Sequence, residues 1–342
     1  MKAQSGTANI KIFVAIIIAL SIVVAIIALL KLDTTGQKGS GLGPEYVYEV
    51  DTKIDPNLIL YEESAPLIST GLNSSHSIAL DSKGDIYVVG DHVVLVFDDK
   101  GDLLNKIELT DMPRCLTVTD DDRIYIGMKD HVEIYDDQGK RLATWQTLGK
   151  NALLTSIAVY KNNVFVADAG NRIVLRYDTS GRLVNRIGEK DDERNIPGFV
   201  IPTPYFDLTV APDGLLRVIN PGRHRIEAYT FNGDLEFWWG EFSSSVEGFC
   251  GCCNPVNFVI LEDESFVTCE KGLKRVKIYD PEGTFVGVVA TPEQLGGPAR
   301  ICVLPEECQT GGFDLAVDDK GRIFILDTVK NVVRIFSKKK AG

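Results

Sequence analysis

The chain has 342 residues, with 44% hydrophobic and 25% charged side chains and a net charge of −12. That is enough apolar material for a sizeable core, and an acidic balance that does not suit nucleic acid or anionic lipid headgroups. No Ser-His-Asp order, phosphate loop or His-Glu-x-x-His motif occurs, so hydrolase and nucleotide chemistry have no positive support.

Residues 1–11 read as a short cytoplasmic N-terminus. Residues 12–30 carry no charge. At 1.5 Å per residue such a run spans about 30 Å, the hydrocarbon thickness of a bilayer. The run ends in Leu-Leu-Lys without a small-x-small cleavage site, so an uncleaved transmembrane signal anchor is expected rather than a cleaved leader. Lys2 and Lys11 before it and Lys31 and Lys38 after it leave charge-based orientation balanced. Export of a large domain behind the anchor makes the N-terminus-inside arrangement the simpler one. Residues 31–45, rich in Gly, Ser and Thr, read as a flexible linker. Residues 1–40 carry four lysines and one aspartate, net +3, which leaves −15 for the rest to reach the total of −12.

Residues 46–342 form the folded domain. From 76 to 337 one pattern recurs six times: a short apolar strand, an aliphatic-aromatic strand such as Ile86-Tyr-Val88, then a strand closing in Tyr-Asp or Phe-Asp before a Gly turn. Strands rich in Ile, Val, Tyr and Phe and spaced by Gly turns mean all-β structure. Four strands in each of six repeats predict a six-bladed β-propeller, whose radial closure protects the sheet edges. The sixth repeat lacks a fourth strand after Phe336. Leu58-Ile-Leu-Tyr61 is expected to supply it as an N-terminal strand latch, with capping of the first blade as the alternative.

The run Val166-Ala-Asp-Ala-Gly-Asn-Arg-Ile173 followed by Tyr177-Asp-Thr-Ser-Gly181 resembles the NHL repeat, and Arg225-Ile and Arg275-Val repeat its ending. The first, second and sixth repeats depart from it, with His92-Val, His131-Val and Val332-Val there. The Trp-Asp dipeptide of WD40 and the paired glycines of Kelch are missing. Cys252-Cys-Asn-Pro255, then Glu270-Lys-Gly272 and Arg275-Val-Lys277, resemble a subgroup of bacterial membrane-anchored NHL proteins. The resemblance implies a binding platform more often than an enzyme, since propellers host unrelated activities.

Repeat phase assigns faces. The second-to-third strand loops and the links between blades share one face, here called the top, and the Gly turns lie opposite. Three top links are long, at about residues 189–206, 241–255 and 291–313, and long loops on a rigid scaffold carry binding. Cys250, Cys252, Cys253, Cys269, Cys302 and Cys308 fall near them, on blades four to six. Disulfides suit an exported domain. A thiolate metal or redox site is the sharper alternative, although adjacent cysteines rarely ligate one ion. Free thiols are the third. Cys115 stands apart as a small buried hydrophobe.

His76, His92, His131 and His224 also map to the top, as do the blade-equivalent acids Asp91, Asp130, Asp168, Glu270 and Asp327. Convergence of such groups would bind a metal ion. The plainer reading has each bonded to its own loop amides. Asn171, Arg172 and Lys271 complete the candidate binding residues. Trp238-Trp239 places one ring on each face of a strand.

The sequence thus predicts a membrane-anchored propeller, in the periplasm or outside the cell, that binds a protein or small-molecule ligand on its Cys-rich top face. The alternative is a metal-dependent enzyme or redox component, like the propeller lactonases and lyases with metal at the channel. No cofactor is assigned. Under the alternative, Ca, Zn, Cu or Fe would sit at the top face.

Overall fold

The structure is a computed structural model and describes residues 6–31, 53–297 and 308–340. The chain divides into an N-terminal unit, Met1–Glu49, and a larger unit from Val50. The first contains helix α1, Gly6–Lys31. Among the described residues no helix is long and apolar enough to cross a membrane. Its side chains are described from Ile12 to Ile27. The expected 12–30 span extends beyond those side chains, and linker residues 32–45 lie outside the described residues.

The second unit is the predicted all-β propeller. After strand β1, Tyr61–Ser69, come six four-stranded antiparallel sheets. Blade one holds β2 (Ser75–Leu80), β3 (Ile86–Gly90), β4 (Val93–Phe97) and β5 (Leu103–Glu108). Blade two holds β6 (Cys115–Val118), β7 (Ile124–Gly127), β8 (Val132–Tyr135) and β9 (Arg141–Thr144). Blade three holds β10 (Leu154–Tyr160), β11 (Asn163–Asp168), β12 (Ile173–Asp178) and β13 (Leu183–Ile187). Blade four holds β14 (Leu208–Val210), β15 (Leu216–Asn220), β16 (Arg225–Tyr229) and β17 (Leu235–Trp239). Blade five holds β18 (Asn257–Ile260), β19 (Phe266–Glu270), β20 (Arg275–Tyr279) and β21 (Phe285–Ala290). Blade six holds β22 (Asp314–Val317), β23 (Ile323–Asp327) and β24 (Val332–Lys338), with β1 as its outer strand.

The composition of each strand follows its radius. Middle strands such as β3, β4, β19 and β23 are buried along their whole length, because neighbouring blades cover both faces. That is why they read as unbroken aliphatic-aromatic runs rather than alternating ones. Outer strands alternate: Trp239 is buried while Trp238 lies exposed beneath the Arg225 guanidinium. The core sits between blades. Trp239 of blade four packs on Phe266 and Tyr279 of blade five, and Ile68 and Phe324 of blade six pack with Ile78, Leu95 and Phe97 of blade one.

The Tyr-Asp endings are turn devices. In Asp178-Thr-Ser-Gly181 the Gly181 N–H donates to the Asp178 carbonyl, and Asp178 Oδ1 accepts from the Ser180 and Arg182 amides. Gly181 takes φ +84°, and the same aspartate-to-glycine spacing recurs at Asp98, Asp136, Asp280 and Asp318.

The closing strand differs from expectation. It is Tyr61–Ser69, antiparallel to β24, with Tyr61 opposite Lys338 and Ser69 opposite Val332. Only Tyr61 of the expected Leu58–Tyr61 run belongs to it. Pro56–Leu58 is a 3-10 turn, and Ile59 bridges Val288 on the outer strand of blade five. The misplacement has a simple cause: β1 is exposed on one side and reads Tyr-Glu-Glu-Ser-Ala-Pro, without an apolar run. Ile68, 2% exposed, is its main anchor in the core. Ile68→Ala is expected to cost about 2–5 kcal/mol in denaturant unfolding. Deleting 61–69 should lower the melting temperature more than deleting 53–60, and the reverse order would reject this strand as the closing one.

Candidate functional site

The acids at the ends of the second strands hold loops rather than ring the channel. Asp168, fully buried, accepts from the Leu153 amide at 3.0 Å, the Asn171 amide at 3.1 Å and Asn171 Nδ2 at 2.6 Å. The side chain of Arg172 beside it, at φ +59°, points to solvent. Asp327 accepts from the Val329 and Lys330 amides, and Asp91 from the Asn73 and Ser74 amides. Asp130 binds His131 Nδ1 at 2.9 Å and the Thr147 hydroxyl at 2.7 Å. His92 is an exposed turn residue at φ +65°. His224 caps a 3-10 turn at φ +58° and stacks near Phe242. Three of the predicted histidines therefore occupy separate loop roles.

Glu270 is fully buried as well. Its Oε1 accepts from the Cys250 amide at 2.9 Å, and its Oε2 from Arg275 Nε at 2.7 Å, with Lys277 Nζ at 3.3 Å. Lys277 also donates to the carbonyls of Val246 and Gly248, and Tyr279 Oη to that of Glu247. Burial alone would raise the Glu270 carboxyl, but Arg275 and Lys277 outweigh it and hold it low. Burial, helped by Arg275, pushes the Lys277 ammonium down against the pull of Glu270. This cluster fastens the 240–256 link to blade five.

The cysteines sit on and under that link. Cys250, Cys252, Cys253, Cys269 and Cys115 are free thiols. The disulfide expectation is thereby corrected for the first four. Cys308 is disulfide-bonded, to a partner other than these five, and Cys302 lies outside the described residues. Cys252 and Cys253 approach at 3.2 Å between sulfurs, and Thr203 donates to Cys253. Among the described residues no three His, Cys, Asp or Glu side chains form a group that could hold a metal ion. Lys271 is spent on the carbonyl of Cys308 and the side chain of Gln309.

What converges is a set the sequence reading largely passed over. Equivalent positions at the top of the six inner strands, Ser77, Cys115, Ser156, Asp207, Asn257 and Asp314, occupy the same register. Ser77 stands opposite Val89, Cys115 opposite Gly127, and Asp314 opposite Leu326. All but Asn257 line a channel of about 400 Å³, and Asn257 and Asp314 reach a mouth of about 440 Å³ above it on the top face. The mouth is lined by His76, Arg114, Thr155, Tyr205, Asn257 and Asp314, among others.

Much of this polar level stitches one blade to the next. Asp207 accepts from the Phe258 amide at 3.0 Å, and Asn257 donates to the Phe313 carbonyl at 2.6 Å. Asp314 accepts from the Ser77 hydroxyl at 2.6 Å and the Ile78 amide at 2.8 Å. Burial first, and the Asp314 charge second, push the Asp207 carboxyl up to about 7. Burial likewise raises Asp314. Repeat phase could have located these positions. No motif singled them out, because a lone Ser, Asp or Asn at such a position carries no signature.

No family model matches the chain, and no curated protein matches it. Among solved structures it is similar to a streptogramin B lyase, at 10% identity and TM-score 0.57, covering 82% of this chain and 98% of that one. It is similar to virginiamycin B lyase from Staphylococcus aureus, at 11% identity and TM-score 0.52, covering 82% and 90%. The WD40 β-propeller domain of Doa1 aligns at 17% identity and TM-score 0.55, covering 86% and 92%. At such identities the likeness is one of fold.

The Asp207 shift sets a pH test. A carboxyl raised in the folded state is ionised first in the unfolded chain, so its contribution to stability falls as pH rises from about 4 to about 7. Asp207→Asn removes that loss. The variant's melting temperature relative to the parent is expected to become more positive at pH 8 than at pH 4, and a constant difference would reject the raised carboxyl.

Proposed function

We propose that this protein is a membrane-tethered, NHL-like propeller that acts by binding, with the channel mouth on the long-loop face as its receiving site for a protein or small-molecule ligand. The observation that carries the reading is the mouth itself. A concavity of about 440 Å³ lies where the inner strands and the links between blades meet. That volume falls in the range typical of small-molecule sites, roughly 300–1,000 Å³. The rigid sheets and the pinned links make it a preformed cavity. The propeller fold is consistent with a binding scaffold.

Thr155 lines the mouth, and Lys100 lies in a hairpin turn on the opposite face. In a small-molecule thermal-shift screen, Thr155→Trp is expected to cancel the stabilising hits while Lys100→Trp leaves them. Hits indifferent to Thr155→Trp would place binding elsewhere.

The tether rests on the uncharged run 12–30, on helix Gly6–Lys31 and on its exposed apolar side chains from Ile12 to Ile27. It would leave the propeller in the periplasm or outside the cell. In cell fractionation the full chain is expected with membranes, and a chain lacking residues 1–40 in the soluble fraction. Recovery of the full chain as soluble protein would overturn the tether.

A further inference from the structure

The donors at the mouth are unequally engaged. Ser75 is within hydrogen-bond reach of the Thr70 hydroxyl, Thr155 donates to the Phe206 carbonyl and Tyr205 to that of Gln309. Asn257 and Asp314 are committed to the neighbouring inner strands. Besides the Thr328 hydroxyl, two nitrogen donors are left over. His76 Nε2 is buried and has no hydrogen-bond partner. The half-buried Arg114 guanidinium pairs with no carboxylate among the described residues, while its backbone is fixed by an N–H to the Gly127 carbonyl at 2.7 Å.

Elsewhere in the propeller most buried or half-buried guanidiniums face carboxylates, and the half-buried Arg176 donates instead to Asn163 Oδ1 and the Phe231 carbonyl. Arg225 pairs with Glu227, Arg275 with Glu270 and Arg334 with Glu63. Arg114 and His76 also sense one another. Burial first and the Arg114 charge second lower the imidazole, which keeps it neutral and able to donate from Nε2. Asp91, whose charge also reaches His76, is spent on Asn73 and Ser74. A planar guanidinium with an adjacent N–H donor matches a planar or tetrahedral oxyanion. Within a domain this acidic, an anion needs such a local positive centre to be retained.

We propose that the channel mouth receives the anionic group, carboxylate or phosphate, of a small molecule, with Arg114 and His76 as its donors. This deepens the binding reading above and rests on it. The Arg114 guanidinium takes two oxygens, and His76 takes one through Nε2. The remaining ligand atoms face Tyr205 and Asn257 across the cavity.

The test uses the full chain in detergent, titrated by calorimetry and thermal shift with acetate, inorganic phosphate, glucose and putrescine. Stabilisation by acetate or phosphate and not by putrescine is expected, weakened about tenfold or more in Arg114→Ala and less in Arg114→Lys. Acetate and phosphate together report the shared oxyanion chemistry, and their ranking separates carboxylate from phosphate. His76→Gln, which can still donate, is expected to bind better than His76→Ala. Binding of glucose or putrescine alone, blocked by Thr155→Trp and untouched by Arg114→Ala, overturns the anion assignment and leaves the mouth as the site. Anion binding indifferent to both substitutions overturns the assignment and the mouth together. No response to any of the four compounds also overturns the anion assignment.

Discussion

The long-loop face depends on one recurring interaction, a carboxylate at the end of a blade's second strand that accepts from backbone N–H groups of the loops around it. Loops of this kind leave amides unpaired by any sheet ladder, and a buried unpaired amide is costly. Asp168 and Asp327 answer this with side-chain oxygens aimed at their own turns, and Asp168 also reaches the preceding link. Glu270 reaches further, to Cys250, and so needs Arg275 and Lys277 to keep its charge tolerable in the core. Replacing the acid while leaving those cations would strand buried positive charge. The cluster is thus a clamp whose parts are only stable together.

From that clamp the rest of the site follows. The 240–256 link is held against blade five, and the inner strands are stitched one to the next by Asp207, Asn257 and Asp314. The mouth is therefore a rim of committed side chains, and its chemistry is decided by the few that are not committed. This separates two kinds of buried polarity. Groups already satisfied give shape, and under the proposed anion reading Arg114 and His76 give affinity.

Much of the architecture was legible because the repeats are redundant. Ile86-Tyr-Val88, Arg123-Ile-Tyr-Ile126 and Arg322-Ile-Phe324 mark middle strands, since only those are covered on both faces, and the Asp-x-x-Gly turns fix the phase. Strand β1 was misplaced because an outer strand needs few apolar residues, and Glu62, Glu63 and Pro66 disguise it. At the site, Asp168 and Glu270 were recognised as blade-equivalent, but sequence gives phase and not radius, so the channel and its rim were not separated. Arg114 stands in the irregular Met112-Pro113-Arg114 segment, where no periodicity points to its role. The cysteines drew attention through their density in sequence, yet four of them are free thiols in and under one pinned link.

The pairing of β1 with β24 has a bearing on how the chain is made. The hydrogen bond from Ser64 to the Ile335 carbonyl joins residues 271 positions apart. Ribosomes extend chains at about 5–20 residues per second, so β1 waits roughly 15–50 seconds for its partner. Throughout that interval blade six does not exist, and a strand edge capable of pairing with another chain stays open. Its two glutamates and its proline suit that wait, because charge and a missing N–H discourage the wrong partner until the last blade arrives.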